Sequence, residues 1–282
     1  MQVYVYNAFS RGPFSGNPAA VVPYRSADGL DEVRMQAIAE QHNLAETAFV
    51  HLDGLADGAY PLRWFTPARE VRLCGHATLA SAAVLRDALD IGRDGDAVAF
   101  ETLSGRLTCR LDGDVWLMDF PADEPQPAPP EVYDAVVAAD AATREAGGAA
   151  APAAERVFVG KDDALLVLPS AEQVRAFAKT EHIRRIPKRG LIVTAPAEAG
   201  SGFDVVSRCF YPEFGVDEDP ATGSAHTLLG VYWSRRLGRE RLRCQQASRR
   251  VGVLDVRYGG GARIEIGGRA EAYLSGEIEV GA

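Results

Sequence analysis

Val and Tyr dominate Gln2–Phe9, and the run predicts a β-strand. The turn cluster Pro13-Phe14-Ser15-Gly16-Asn17-Pro18 ends it, and Ala19–Val22 predicts a second strand. The period then lengthens. Over Asp28–Gln41 the apolar residues Leu30, Val33, Ala37 and Ile38 recur at helical spacing, which predicts an α-helix. Strands are expected again at Glu46–Leu52 and Tyr60–Phe65, the second broken by Thr66-Pro67. Leu73–Leu85 departs from both patterns, being apolar on nearly every side behind the flexible turn Cys74-Gly75-His76. A helix without a polar face belongs inside a domain. Antiparallel strands are expected at Ala97–Thr102, Arg106–Leu111 and Val115–Phe120, the last two joined by the hairpin turn Asp112-Gly113.

The second half repeats the mixture. Pro121–Pro130 holds five prolines in ten residues and is expected to be a linker. Helices are predicted at Glu131–Glu145 and Ala171–Lys179, with a small-residue loop at Gly147–Ala154. Strands are predicted at Val157–Val159, Ala164–Leu168, Leu191–Thr194 and Phe203–Tyr211. The turn Asp217–Ser224 then opens a second apolar helix, Ser224–Arg236. Strands Val251–Tyr258, Arg263–Ile266 and Ala270–Glu279, separated by Gly-rich turns, close the chain.

The stretch Ala221-Thr222-Gly223-Ser224-Ala225 echoes Leu73-Cys74-Gly75-His76-Ala77, with small residue, Gly, polar residue and Ala in register. The order of elements predicts an α/β (α+β) architecture of two domains, 1–120 and 121–282. Each is a mostly antiparallel sheet wrapped about a buried helix, and the last strand has the option of returning to the first domain. Helix N-termini carry unpaired N–H groups and the positive end of the dipole, so both turns are candidate anion seats facing a shared cleft.

A length of 282 residues accommodates two cores. A net charge of −9 argues against nucleic acid or an anionic membrane as partner, and leaves room for a small anionic ligand in a local pocket. The N-terminus lacks a basic, then apolar, leader pattern, and no run reaches the ~20 apolar residues of a membrane span, so a cytoplasmic location is expected. Cys74, Cys109, Cys209 and Cys244 form no Cys-x-x-Cys pair and the five histidines no His-x-x-x-His. Reduced thiols and no metal are therefore expected.

Several side chains have a chemical and a plain structural reading. Glu46 is either a strand-edge carboxylate in solvent or, beside Ala48, Phe49 and Val50, a desolvated acid/base. Asp219, before Pro220, is a turn-forming carboxylate or a substrate-orienting one. His76 is a structural histidine at a helix start or a donor to ligand. Cys74 is a small packed residue or a thiol base. Thr222 stands at the matching place in the second half, so a two-cysteine racemase is not available. Arg69, Arg72 and Arg208 are surface pairs or carboxylate holders, and Gly16-Asn17-Pro18 is a turn with an option on the pocket.

Taken together, Pro13–Val22, Asn43-Leu44-Ala45-Glu46-Thr47-Ala48-Phe49, Phe65-Thr66-Pro67, Leu73–Thr78 and Asp219–Ala225 resemble the PhzF family, the phenazine-biosynthesis-like isomerases. The resemblance spans essentially the whole chain. It implies a diaminopimelate-epimerase-like fold, a homodimer and a cofactor-free proton shift on a small carboxylate-bearing substrate such as a trans-2,3-dihydro-3-hydroxyanthranilate-type diene acid. It assigns the moving proton to Glu46, with His76 and Asp219 also catalytic. Substrate-holding roles fall to Gly75, His76, Gly223 and Ser224, with Asp219 beside them. Two alternatives stand beside this one: an amino-acid racemase or epimerase using Cys74, and a catalytically silent binder of small acids.

Overall fold

The computed structural model describes residues 1–92, 97–144, 156–212 and 216–280, so the predicted loop Gly147–Ala154 and the predicted helix end Glu145 lie outside the described residues. The chain divides into two compact units, Met1–Asp119 with Gly267–Ala282, and Phe120–Ile266.

In the first unit β1 (Gln2–Ser10) and β2 (Asn17–Tyr24) form an antiparallel pair. From β2 the chain crosses through α1 (Glu32–His42) to β3 (Glu46–His51), which lies parallel to β2. Asp31 caps α1 by accepting from the Arg34 N–H, and Asn43 ends it in the left-handed conformation a C-terminal cap requires. The chain continues through β4 (Ala59–Phe65), antiparallel to β3, and the two-residue β5 (Glu70–Val71). A second crossover, α2 (Gly75–Asp87), leads to β6 (Ala97–Thr102), parallel to β4, and then to the antiparallel β7 (Gly105–Asp112) and β8 (Val115–Pro121). Helix α2 packs on β1, β2, β3 and β7, and every residue from His76 to Leu85 is buried. The all-round apolar pattern thus has its cause: no side of this helix meets water. Each of Leu79, Val84 and Leu85 contributes about 1.5–3 kcal/mol by full burial. Helix α1 covers β3 and β4 instead, through Met35, Ile38 and Ala39 against Phe49 and Phe65.

In the second unit the proline-rich stretch is ordered against its neighbours. Ala122 N–H donates to Ala262 and Ala128 N–H to Val157, while β9 (Gln126–Pro127) adds an edge strand, where proline is tolerated. Helix α3 (Pro130–Arg144) follows, with proline at its first position. Next come β10 (Val157–Val159) and the antiparallel β11 (Ala164–Val167), then α4 (Ala171–Ala176) as crossover to β12 (Leu191–Pro196), parallel to β11. Beyond β13 (Val205–Phe210), antiparallel to β12, α5 (Ala225–Leu237) crosses to β14 (Arg241–Gln246), parallel to β13, and β15 (Gly252–Arg257) ends the run antiparallel. The order of pairings around α4 and α5 repeats that around α1 and α2. Helix α5 packs on β14 and β15, and a core of Val136, Val174, Phe177, Val193 and Phe210 lies elsewhere in this unit.

The final strand, β16 (Arg263–Glu277), departs from expectation. The sequence placed a Gly-rich turn at Gly267-Gly268, whereas one strand runs straight through. A Cβ on Gly267 would sit 2.2 Å from the Trp116 carbonyl oxygen, so glycine is there for close backbone approach rather than for a turn. Beyond it β16 pairs antiparallel with β1, which closes the first unit's strands into a barrel around α2. The second departure concerns βαβ crossovers, which the sequence spoke against: within the mostly antiparallel strand order, four parallel pairs are each bridged by one of α1, α2, α4 and α5.

Candidate active site

Glu46 is the first residue of β3, in register with Ala19 of the parallel β2. Two residues before Ala19, Asn17 starts β2 and is fully buried. The turn that aims Asn17 depends on Gly16: its φ is +73°, and a Cβ there would lie 2.3 Å from the Ala8 carbonyl oxygen. The turn is tied down by Ser15, whose Oγ accepts the Arg11 N–H at 2.9 Å, and by Ser10, which donates to Glu271 at 2.9 Å.

Helix α2 starts beside these strand ends. Cys74 stands at its N-cap in extended conformation without capping through its side chain, and Thr78 closes the first turn onto the Cys74 carbonyl. The N–H groups of Gly75, His76 and Ala77 precede the first intrahelical donor, the Thr78 N–H, and carry the positive end of the dipole. His76 Nε2 lies 3.2 Å from Glu46 Oε2, with the two side chains 9% and 20% exposed. On the other side of the ring, His76 Nδ1 faces Asn17 Nδ2 at 3.4 Å and Cys74 Sγ at 3.5 Å. Burial pushes the imidazole down to about 4, so it is neutral near pH 7. With the amide assigned to donate to Nδ1, the ring proton sits on Nε2, which is close to Glu46 Oε2 without hydrogen-bond geometry. The solvent-facing reading of Glu46 is therefore a poor description of it.

In the second unit Asp219, Thr222, Gly223 and Ser224 form the turn before α5. The Thr222 hydroxyl donates to the Asp219 carboxylate. Gln246, fully buried on β14, staples the turn: its Oε1 accepts the Thr222 N–H at 2.8 Å and its Nε2 donates to the Asp219 carbonyl at 2.7 Å. Arg189 donates to Ser224 Oγ at 3.2 Å while gripping the buried Asp163 with both arms of its guanidinium. Burial raises the Asp163 carboxyl, and Arg189 pulls it the other way. His226 Nδ1–H donates to the Thr222 carbonyl at 2.8 Å, its ring pushed down to about 4 by burial. Gln246, Arg189 and Asp163 escaped sequence reasoning because each is brought in from a distant strand or loop with no local pattern.

Two of the three candidate arginines, Arg208 and Arg72, have structural work. Arg208 pairs with Glu218 and donates to the carbonyls of Arg175 and Phe177, while Arg72 donates to Leu103. All four cysteines are buried and none is in a disulfide. Among the described residues no helix is long and apolar enough to cross a membrane.

Barrel, buried helix and polar helix-start cluster define a mixed α/β protein similar to epimerase- and isomerase-type folds. Residues 6–276 match the family model for phenazine biosynthesis-like proteins, and the chain belongs to this PhzC-PhzF family. It is 44% identical to an uncharacterized isomerase of Pseudomonas aeruginosa over 99% of both chains. It is 37% identical to the human phenazine biosynthesis-like domain-containing protein, again over 99% of both. Among solved structures, a PhzF-family protein of Enterococcus faecalis superposes with a TM-score of 0.83 at 34% identity, covering 99% of this chain and 98% of that one. A hydroxyproline epimerase of Agrobacterium vitis shares the fold alone, with a TM-score of 0.52 at 14% identity, covering 98% of this chain and 91% of that one.

Proposed function

We propose that the chain is an isomerase that moves a proton and a double bond within a small carboxylate-bearing molecule, without a cofactor, using Glu46 as the acid/base. The observation that carries this reading is the approach of the largely buried Glu46 carboxylate to the neutral His76 ring at 3.2 Å, beside the start of α2. A carboxylate taken partly out of water is a better base than one on the surface. It removes a proton from a carbon conjugated with the substrate's carboxyl group. The electron pair shifts through the π-system, and the carboxylic acid so formed returns the proton to another carbon on the same face. One group suffices, and no second base is consumed.

The remaining assignments are part of the same proposal. The neutral His76 ring packs beside the Glu46 carboxylate, and the N–H groups of Gly75 and His76 take the substrate's negative charge. Asp219, held by Thr222, orients substrate, and Gly223 and Ser224 bind it. The repeated order of pairings supports reading the two units as pseudo-symmetric halves of a diaminopimelate-epimerase-like fold.

The test uses three probes in D2O: trans-2,3-dihydro-3-hydroxyanthranilate, trans-4-hydroxy-L-proline and a 2-methylene dicarboxylic acid, followed by NMR. The reading expects deuterium at a carbon of an unsaturated acid and a double-bond shift. It expects Glu46→Gln to lower that rate by about 10²–10⁴-fold. Exchange at the wild-type rate in Glu46→Gln removes Glu46 from the role.

A further inference from the structure

The candidate site contains a second kind of chemistry that the proton shift does not use. One ligand atom each from Glu46, Cys74 and His76 lies within 4.8 Å of the other two, giving a carboxylate oxygen, a thiol sulfur and an imidazole nitrogen. The sequence hides this set. Cys74-x-His76 is too short a spacing for a recognised zinc motif, and Glu46 arrives from a different strand.

We infer that Glu46, Cys74 and His76 form a site for a thiophilic divalent cation of the zinc type. The sulfur–nitrogen edge is already at the required length. A tetrahedral ion with bonds of about 2.3 Å to sulfur and about 2.05 Å to nitrogen sets those two atoms about 3.6 Å apart, and Cys74 Sγ stands 3.5 Å from His76 Nδ1. The ion would displace the long Asn17 contact at that nitrogen. Glu46 stands at the other ring nitrogen, so its side chain rotates to supply the third ligand; it is the most exposed of the three. The thiol proton leaves to solvent on binding, and the fourth position stays open to water. Mixed sulfur, nitrogen and oxygen ligands select zinc or cobalt over magnesium or calcium, which demand oxygen.

Occupancy would tie up Glu46. On the proposed proton-shift reading it follows that the cation is a reversible inhibitor, although the site itself does not depend on that reading.

The test is titration of the full-length protein with Co²⁺, reading the thiolate-to-cobalt charge-transfer band in the near ultraviolet, followed by back-titration with Zn²⁺. The inference expects a band that saturates at one equivalent and is displaced by zinc. It expects the band to vanish in both Cys74→Ala and Cys74→Ser, and the affinity to fall about tenfold or more in His76→Gln and in Glu46→Gln. Two variants at Cys74 guard against one that fails to fold, with thermal melting as the check. No band in the wild type, or a band that survives both Cys74 variants and so comes from another thiol, overturns the site. Deuterium exchange in metal-free protein is read separately, so loss of the metal site leaves the isomerase reading standing, and the reverse.

Discussion

At the scale of single residues, burial decides what the histidines do. His226 is fully buried, donates through Nδ1 to the Thr222 carbonyl, and has its ring pushed down from 6.5 to about 4. A group whose folded value is depressed below its unfolded value binds more protons when unfolded, so its contribution is whole above about pH 6.5. It is lost as the pH falls toward 4. Between pH 7 and 5 this one ring is expected to cost the wild type about 2 kcal/mol of stability that a His226→Gln variant does not lose. Urea unfolding of both proteins at the two pH values checks it, and parallel losses would contradict it. Glu46 and His76 were both legible as candidates because a short polar motif marks each. Their meeting was not, since it depends on the parallel pairing of β2 and β3 and on where α2 starts. Gln246 and Arg189 carried no local signal at all.

At the scale of elements, the buried helices were readable for a simple reason: an apolar residue at every helical position has only one place to go. Boundaries and pairings were less readable. The four parallel pairs are invisible locally, because a strand's own residues do not record its neighbour's direction. The turn assigned to Gly267-Gly268 failed because glycine serves two ends, backbone freedom and close approach, and composition does not say which. The two can be separated within β16. Gly267→Ala, aimed at the Trp116 carbonyl, is expected to destabilise by about 2–3 kcal/mol. Gly276→Ala, whose added carbon meets nothing nearer than Leu274 at 4.0 Å, should stay within about 0.5 kcal/mol of wild type. Equal shifts in denaturant midpoint would mean that the approach at Gly267 is not the constraint.

At the scale of the whole molecule, family membership rests on similarity over residues 6–276, while the reaction rests on a few side chains. The homodimer implied by the resemblance predicts a light-scattering mass of about 60 kDa, twice the chain mass of 30.2 kDa; a mass of one chain would contradict it. The competing chemistry is racemisation through Cys74, and one comparison separates the two. Solvent-deuterium uptake into an accepted unsaturated acid is measured side by side for wild type, Glu46→Gln and Cys74→Ser. Loss of uptake in Glu46→Gln with near wild-type uptake in Cys74→Ser is the predicted result. Unimpaired uptake in Glu46→Gln, with loss in Cys74→Ser, would contradict the account.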